Sequence, residues 1–313
     1  MRILITGGAG FIGSNLARYF EQHEPRTEVR IIDDLSTGRL KNIEGLNAQF
    51  VEGSILDYDL LASLTRGVDS VIHLAAIGSV PRSVAAPRPT HEANTTGTLN
   101  VLEAAREFGV EHVVVASSSS VYGSNPALPK SEFDWTRPMS PYGVSKQATE
   151  GYAIAYNFSY GMKTLAFRFF NVFGPGQPAD HTYAAVIPKF IDAALHGRAL
   201  TVHGDGLQSR DFTFVETVCA AIHDAVARKV HSQDPVNLAF GTNTSLLDLI
   251  TLMKTALAAE LAVEHLKPRV GDVRASQSDG VRMEELFPDI HPIPLEAGLG
   301  RTIAWFRARG NDW

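Results

Sequence analysis

The sequence predicts an α/β fold: a doubly wound parallel sheet with helices on both faces, carrying a smaller mixed α/β lobe. Three observations predict it. Short apolar runs alternate with amphipathic helical stretches through the first half. A glycine triplet separates the first run from the first helix, and the rhythm breaks after Asn171, at Gly174-Pro175-Gly176-Gln177-Pro178.

The expected strands are Ile3 to Thr6, Val29 to Asp33, Ala48 to Val51, Ser70 to Leu74, Val113 to Ser117 and Thr164 to Phe169. Each is a nearly continuous apolar or β-branched run, as a sheet covered on both faces requires. Helical spacing is clear in Asn94 to Phe108, where Leu99, Leu102, Ala105 and Arg106 recur. Val236 to Ala239 is a further strand, returning to the main sheet from an interleaved lobe. The expected division is a sheet domain over 1–170 with a return segment over about 235–258, and a lobe over 171–234 and 259–313.

Composition sets broad limits. The 313 residues, 44% hydrophobic and 20% charged, suffice for a sizeable core. A net charge of -6 argues against nucleic acid, whose binders carry basic stripes. No apolar run approaches the roughly 18 residues of a membrane span, and Met1-Arg2 leads straight into the first strand, so the cytoplasm is the expected compartment. The single cysteine, Cys219, cannot form an internal disulfide, and Val218 and Ala220 beside it indicate a buried helix position. No metal site is expected.

Gly7-Gly8-Ala9-Gly10-Phe11-Ile12-Gly13 follows the first strand and opens the first helix. Gly7 permits a tight turn, Gly10 lets backbone approach a pyrophosphate, and Gly13 allows close packing of helix on sheet. The helix N-terminus then faces the phosphate charge. That is a Rossmann-type dinucleotide site. Asp33 ends the second strand, where a carboxylate bonds both ribose hydroxyls and repels a 2'-phosphate, favouring NAD over NADP. Arg39 nearby is the one feature that would accommodate such a phosphate.

Tyr142 and Lys146 form Y-x-x-x-K in Ser140-Pro141-Tyr142-Gly143-Val144-Ser145-Lys146. Pro141 suits a helix start, and four-residue spacing puts phenol and ammonium on one face. A nearby ammonium is expected to lower the phenol's pKa, as a general base requires. Upstream, the fifth strand ends in Ser117-Ser118-Ser119-Ser120, on the carboxyl side of the sheet where ligands bind. Each feature alone has a bland reading, a polar turn or a packed helix face; their order and spacing together do not.

Over essentially its whole length the chain resembles the extended short-chain dehydrogenase/reductase family, and within it the UDP-galactose 4-epimerase group and its relatives acting on UDP-N-acetylhexosamines. The resemblance is carried by His73-Leu74-Ala75-Ala76, Ser118 to Gly123, Pro141 to Lys146, Arg168 to Gly174, His203-Gly204-Asp205-Gly206, Ser209-Arg210-Asp211-Phe212 and Arg269-Val270-Gly271-Asp272-Val273. It implies a UDP-sugar substrate, bound NAD, and a homodimer formed through helices around Asn94 to Phe108 and Ser145 to Tyr160.

The resemblance also implies roles. Ser118 bonds the sugar O4, Tyr142 takes its proton, and Lys146 holds the nicotinamide ribose. Gly7, Gly10, Phe11, Ile12, Gly13 and Asp33 would bind NAD, with Ser36, Thr37 and Gly38 wrapping the adenosine. Ser54, Ile55, Leu74, Ala75, Ala76, Asn94 and Phe169 complete that set. Ser119, Ser120, Asn171, Val186, Arg210, Arg269, Asp272 and Ser276 would contact the UDP-sugar, Arg210 and Arg269 as diphosphate forks and Asp272 at the uridine ribose. Ser54 stands where the family often has an acidic residue. The implied reaction passes hydride from sugar C4 to NAD and back to the other face of a rotated 4-keto sugar.

Other reactions of the fold leave marks that can be checked. Dehydratases place Asp-Glu, and decarboxylases a glutamate, where this chain has Ser119-Ser120. A UDP-glucuronate 4-epimerase would favour an arginine after Gly174-Pro175, where Pro178 stands; Arg82 is the substitute from another loop. A non-catalytic dinucleotide sensor would lack the intact Tyr142 and Lys146 pair. Small Ser276, where hexose-restricted relatives carry tyrosine, points to UDP-GlcNAc and UDP-GalNAc as substrates beside UDP-Glc and UDP-Gal.

Overall fold

The computed structural model describes residues 1–179, 184–268 and 274–310. The first half alternates strand and helix: β1 (Arg2–Thr6), α1 (Phe11–His23), β2 (Glu28–Asp33), β3 (Ala48–Glu52), α2 (Tyr58–Thr65) and β4 (Ser70–His73). Two short helices follow, α3 (Val80–Ala85) and α4 (Pro87–His91), then a π turn over Glu92–Thr96 that runs into α5 (Gly97–Glu107). β5 (His112–Ser118), α6 (Pro141–Tyr160) and β6 (Lys163–Phe169) complete the alternation. The expected strands stand within one residue of these bounds, because apolar runs flanked by turn residues admit little else.

The second half uses shorter pieces: β7 (Val172–Phe173), α7 (Val186–Leu195), β8 (Leu200–His203), β9 (Ser209–Arg210), β10 (Thr213–Phe214) and α8 (Val215–Arg228). Then come β11 (Val236–Leu238), β12 (Thr244–Ser245), α9 (Leu246–Leu257), β13 (Val263–Leu266), β14 (Ala275–Ser276), α10 (Val281–Leu286) and α11 (Leu295–Arg309).

Seven strands form the main sheet in the order β11-β6-β5-β4-β1-β2-β3, all neighbours parallel. The order reverses between β1 and β4, and that switch opens a crevice at the carboxyl ends of the strands. One sheet face is covered by α1, α8 and α10 through Leu16, Phe20, Val218, Ile222 and Met283. The other is covered by α2, α5 and α6 through Leu61, Leu102 and Tyr156. A separate core of Ile187, Phe190, Leu249, Met253, Leu299 and Phe306 builds the lobe.

Packing divides the chain differently from the sequence-based bounds. α8, assigned to the lobe by position, packs on the main sheet, whereas α9, inside the expected return segment, belongs to the lobe core. β11 does return to the sheet, beside β6. Both helices are amphipathic, and amphipathicity alone does not say which surface covers the apolar face. Cys219 is buried in α8, where burial raises its thiol pKa. Among the described residues no helix is long and apolar enough to cross a membrane, and no group of His, Cys, Asp or Glu has a metal-binding arrangement.

Candidate active site

A cleft of about 1270 Å³ follows the carboxyl ends of the strands, from the turn after β1 to the ends of β5 and β6. One end is built from glycine. Gly7 has a φ of 72°, and a Cβ there would lie 2.7 Å from the Ala75 backbone. A Cβ on Gly13 would lie 2.3 Å from the Gly7 carbonyl oxygen, so the helix start cannot tolerate a side chain without moving. Gly10 caps α1 with no side chain in the way, leaving the helix N-terminus open to the cleft.

Asp33 ends β2 on the same wall, buried, with its carboxylate accepting the N–H groups of Ala9 and Leu35, each at 2.9 Å. Burial pushes its pKa up, and those backbone hydrogen bonds hold it back. Gly38 lies so close that a Cβ would stand 2.7 Å from a carboxylate oxygen. A turn that only glycine fits, an open helix N-terminus and a fixed carboxylate suit a dinucleotide's pyrophosphate and ribose. Phe11, Ile12, Ser36, Thr37, Ser54, Ile55, Leu74, Ala75, Ala76 and Phe169 also line this cleft.

At the other end, Ser118 finishes β5 and accepts the Ser120 N–H at 3.1 Å, while Ser140 caps α6 by accepting the Gly143 N–H at 3.1 Å. These two local bonds shape the serine turn and the start of the Tyr142 helix. The Ser118 side chain lies beside the Tyr142 phenol and acts to lower its pKa, and Ser118, Ser119, Ser120, Tyr142, Lys146 and Asn171 share the wall.

The expected lowering of Tyr142 by Lys146 does not occur in this structure. Burial raises the Tyr142 phenol, and Ser118 beside it opposes that rise. Lys146 instead donates to the Ala116 carbonyl at 2.7 Å, and burial brings its own pKa down to about 8. The helix spacing is as read, but the ammonium is directed elsewhere.

Asn94 differs too. It is buried at the π turn and absent from the described cleft wall. Its side-chain oxygen accepts the Ile77 N–H at 2.7 Å, and its amide donates to the Ile77 carbonyl and, at 2.9 Å, to Ser145 between Tyr142 and Lys146. It holds the loop after β4 against α6. Val186, Arg210 and Ser276 are likewise off that wall: Val186 packs in the lobe core, and Arg210 pairs with Ser276 between β9 and β14. Arg269 and Asp272 lie outside the described residues.

The cleft also holds residues the sequence reading passed over. Gln177 donates to the Val172 carbonyl at 3.0 Å, and its buried side-chain oxygen has no hydrogen-bond partner among the described residues. Read only as part of a loop break, Gly174 to Pro178 hid it. Trp305 of α11 lines the cleft from the far end of the chain, with no local signal at all.

Residues 3–239 match the NAD dependent epimerase/dehydratase family, about three quarters of the chain. The chain belongs to that family. It is an enzyme of the NAD-dependent epimerase/dehydratase type, and its cofactor is NAD. It is 38% identical to the UDP-glucose 4-epimerase of Mycolicibacterium smegmatis, over 98% of this chain and 99% of the relative. Its fold is similar to that of a UDP-N-acetylglucosamine 4-epimerase from Methanobrevibacter ruminantium M1 in complex with UDP-N-acetylmuramic acid, with a TM-score of 0.93, 34% identity and 98% of each chain covered. The UDP-glucose 4-epimerase of Thermotoga maritima with UDP-glucose gives a TM-score of 0.91 at 33% identity, covering 98% of this chain and 99% of that one.

Proposed function

We propose that the protein epimerises UDP-hexoses at C4, accepting UDP-GlcNAc and UDP-GalNAc beside UDP-Glc and UDP-Gal. The observation that carries this reading is that Ser118 and Tyr142 stand side by side on one cleft with the glycine turn and Asp33. Bound NAD supplies a hydride acceptor that becomes the donor in the return step. The α1 N-terminus would hold the pyrophosphate, Asp33 the adenosine ribose and Lys146 the nicotinamide ribose. Ser118 orients the sugar O4. Tyr142 takes the O4 proton as the 4-keto sugar forms and gives it back after the sugar has turned its other face.

Ser119 and Ser120 bear on the rivals. Both line the cleft as hydroxyls, and elimination or decarboxylation by this fold would call for a carboxylate there. A UDP-glucuronate 4-epimerase is the second reading, favoured by Arg82, which lines the same cleft. The partner proposed is a second copy: α6 exposes Val144, Gly151, Ala155 and Phe158 at helical spacing, an apolar stripe suited to helix-on-helix packing.

Protein purified without added cofactor, incubated with UDP-Glc, UDP-GlcNAc or UDP-glucuronate, tests the reading by NMR of the products. The expected result is the C4 epimer of the first two with no net NADH. Stoichiometric NADH over many turnovers, loss of water or carbon dioxide, or turnover of the uronate alone would replace it.

A further inference from the structure

Asp211 is fully buried just after β9, and the bonds it makes reach Asn171 and Ser276, two of the residues assigned above to the nucleotide-sugar. One carboxylate oxygen accepts the N–H of Gly241 at 3.0 Å and of Ser278 at 3.2 Å. The other accepts the Thr242 hydroxyl at 2.7 Å. Its own N–H donates to the Ser276 carbonyl at 2.8 Å, and its carbonyl accepts the Asn171 side-chain amide at 3.2 Å. Arg210 is its neighbour in the chain, paired with Ser276 across the small sheet.

Those bonds join segments far apart in sequence: 171, 209–211, 241–242 and 276–278. None of them is tied by a long strand, since β9, β12 and β14 are two residues each. Asn171 adds a second sign. It has a φ of 24°, left-handed backbone that a non-glycine residue seldom adopts, and it keeps this conformation on the cleft wall with its amide anchored to Asp211. Strain of that kind persists only where surrounding bonds impose it.

We propose that Asp211 is a positioning residue that holds Asn171, Arg210 and Ser276 in one arrangement for the UDP moiety and sugar, acting through them without touching substrate. This rests on the UDP-sugar reading above. Removing the carboxylate leaves the N–H groups of half-buried Gly241 and buried Ser278 without their acceptor, so both segments shift and carry Ser276 with them. Asparagine is different: its oxygen can keep the two N–H groups while its NH2 donates to the Thr242 hydroxyl.

The test titrates UDP by calorimetry into the NAD-loaded protein and follows UDP-sugar turnover. Asp211→Ala is expected to raise the Kd for UDP and the KM at least tenfold with kcat within threefold, and Asp211→Asn to stay within threefold of wild type throughout. If Asp211→Ala does not fold, Thr242→Val, which removes one bond, is expected to raise the Kd about threefold. A melting temperature that falls in these variants while the Kd for UDP stays unchanged overturns the proposal, as does a loss confined to kcat. Wild-type protein that fails to bind UDP overturns the substrate reading as well, a result distinct from tight wild-type binding that the variants leave untouched.

Discussion

The half of the molecule that holds the glycine turn and the half that holds Arg210 and Ser276 are built by different means. In the first, seven parallel strands and two helical layers bury continuous apolar runs, and the backbone ladder satisfies its own polar groups. In the lobe, apart from its apolar core, the sheets have two or three strands, and their ends are fixed by side chains such as Asp211 and by Gln277, which donates to the Gly241 carbonyl. The first half is therefore a stiff frame that aligns reacting groups. The second is a surface assembled from single contacts, whose shape one substitution can change. Chemistry is expected to be lost by changes in the frame, affinity and selectivity by changes in the lobe.

The largest effect tests the frame. Tyr142→Phe removes the proposed base and leaves α6 intact, since the helix is capped by Ser140 and packed through Ala153 and Tyr156. Turnover is expected to fall at least about a hundredfold, with UDP affinity within twofold of wild type. Stopped-flow turnover and UDP calorimetry check it together. A comparable loss of UDP affinity would show that frame and lobe are not separable in the way argued.

The second effect belongs to the lobe. Ser276 is half-buried, and what binds it to Asp211 is its backbone carbonyl, so its side chain can change without breaking that bond. Ser276→Tyr is expected to cost UDP-GlcNAc about tenfold in kcat/KM, about 1.4 kcal/mol, while sparing UDP-Glc. Competition between the two substrates measures the ratio directly. Equal loss on both, or a wild type that refuses N-acetyl sugars, removes Ser276 as the selector.

The same division explains what the sequence made legible. β2 or β5 can be read from its residues because a run such as Val113 to Val115, buried on both faces, has one use. Ser209–Arg210 has no such pattern. It becomes a strand only by pairing with Thr244–Ser245 and Ala275–Ser276, which lie far off in the chain. Gly7, Asp33, Ser118 and Tyr142 were legible because their spacing is local. The direction of the Tyr142 shift was not, because it depends on how far the fold buries the phenol, while Lys146 meets the Ala116 carbonyl on another element. Asn94 misled for a similar reason: the π turn that aims it at Ile77 and Ser145 leaves no periodic trace.

The smallest effect concerns the frame's response to acid. His73 ends β4, fully enclosed between the hydroxyls of Thr6 at 2.8 Å and Thr98 at 3.0 Å, and burial together with the charge of Lys146 brings its pKa down to about 3. An unfolded histidine titrates near 6.5. Between those values the unfolded chain binds a proton that the folded chain does not, so stability falls as pH falls through this window and recovers above it. From pH 7 to pH 5 the contribution is about 2 kcal/mol, one proton acting over the part of the interval below 6.5. His73→Asn removes the titrating group and keeps a polar partner at the Nδ1 position, beside Thr6. It is expected to be less stable than wild type at pH 7, yet to lose about 2 kcal/mol less on going to pH 5, measured by urea unfolding at both values. Burial also lowers His112, at the start of β5, so the variant's pH dependence should flatten without vanishing. An unchanged slope would mean that His73 accepts its proton within the folded sheet, and the frame would then be less tightly closed around β4 than its hydrogen bonds require.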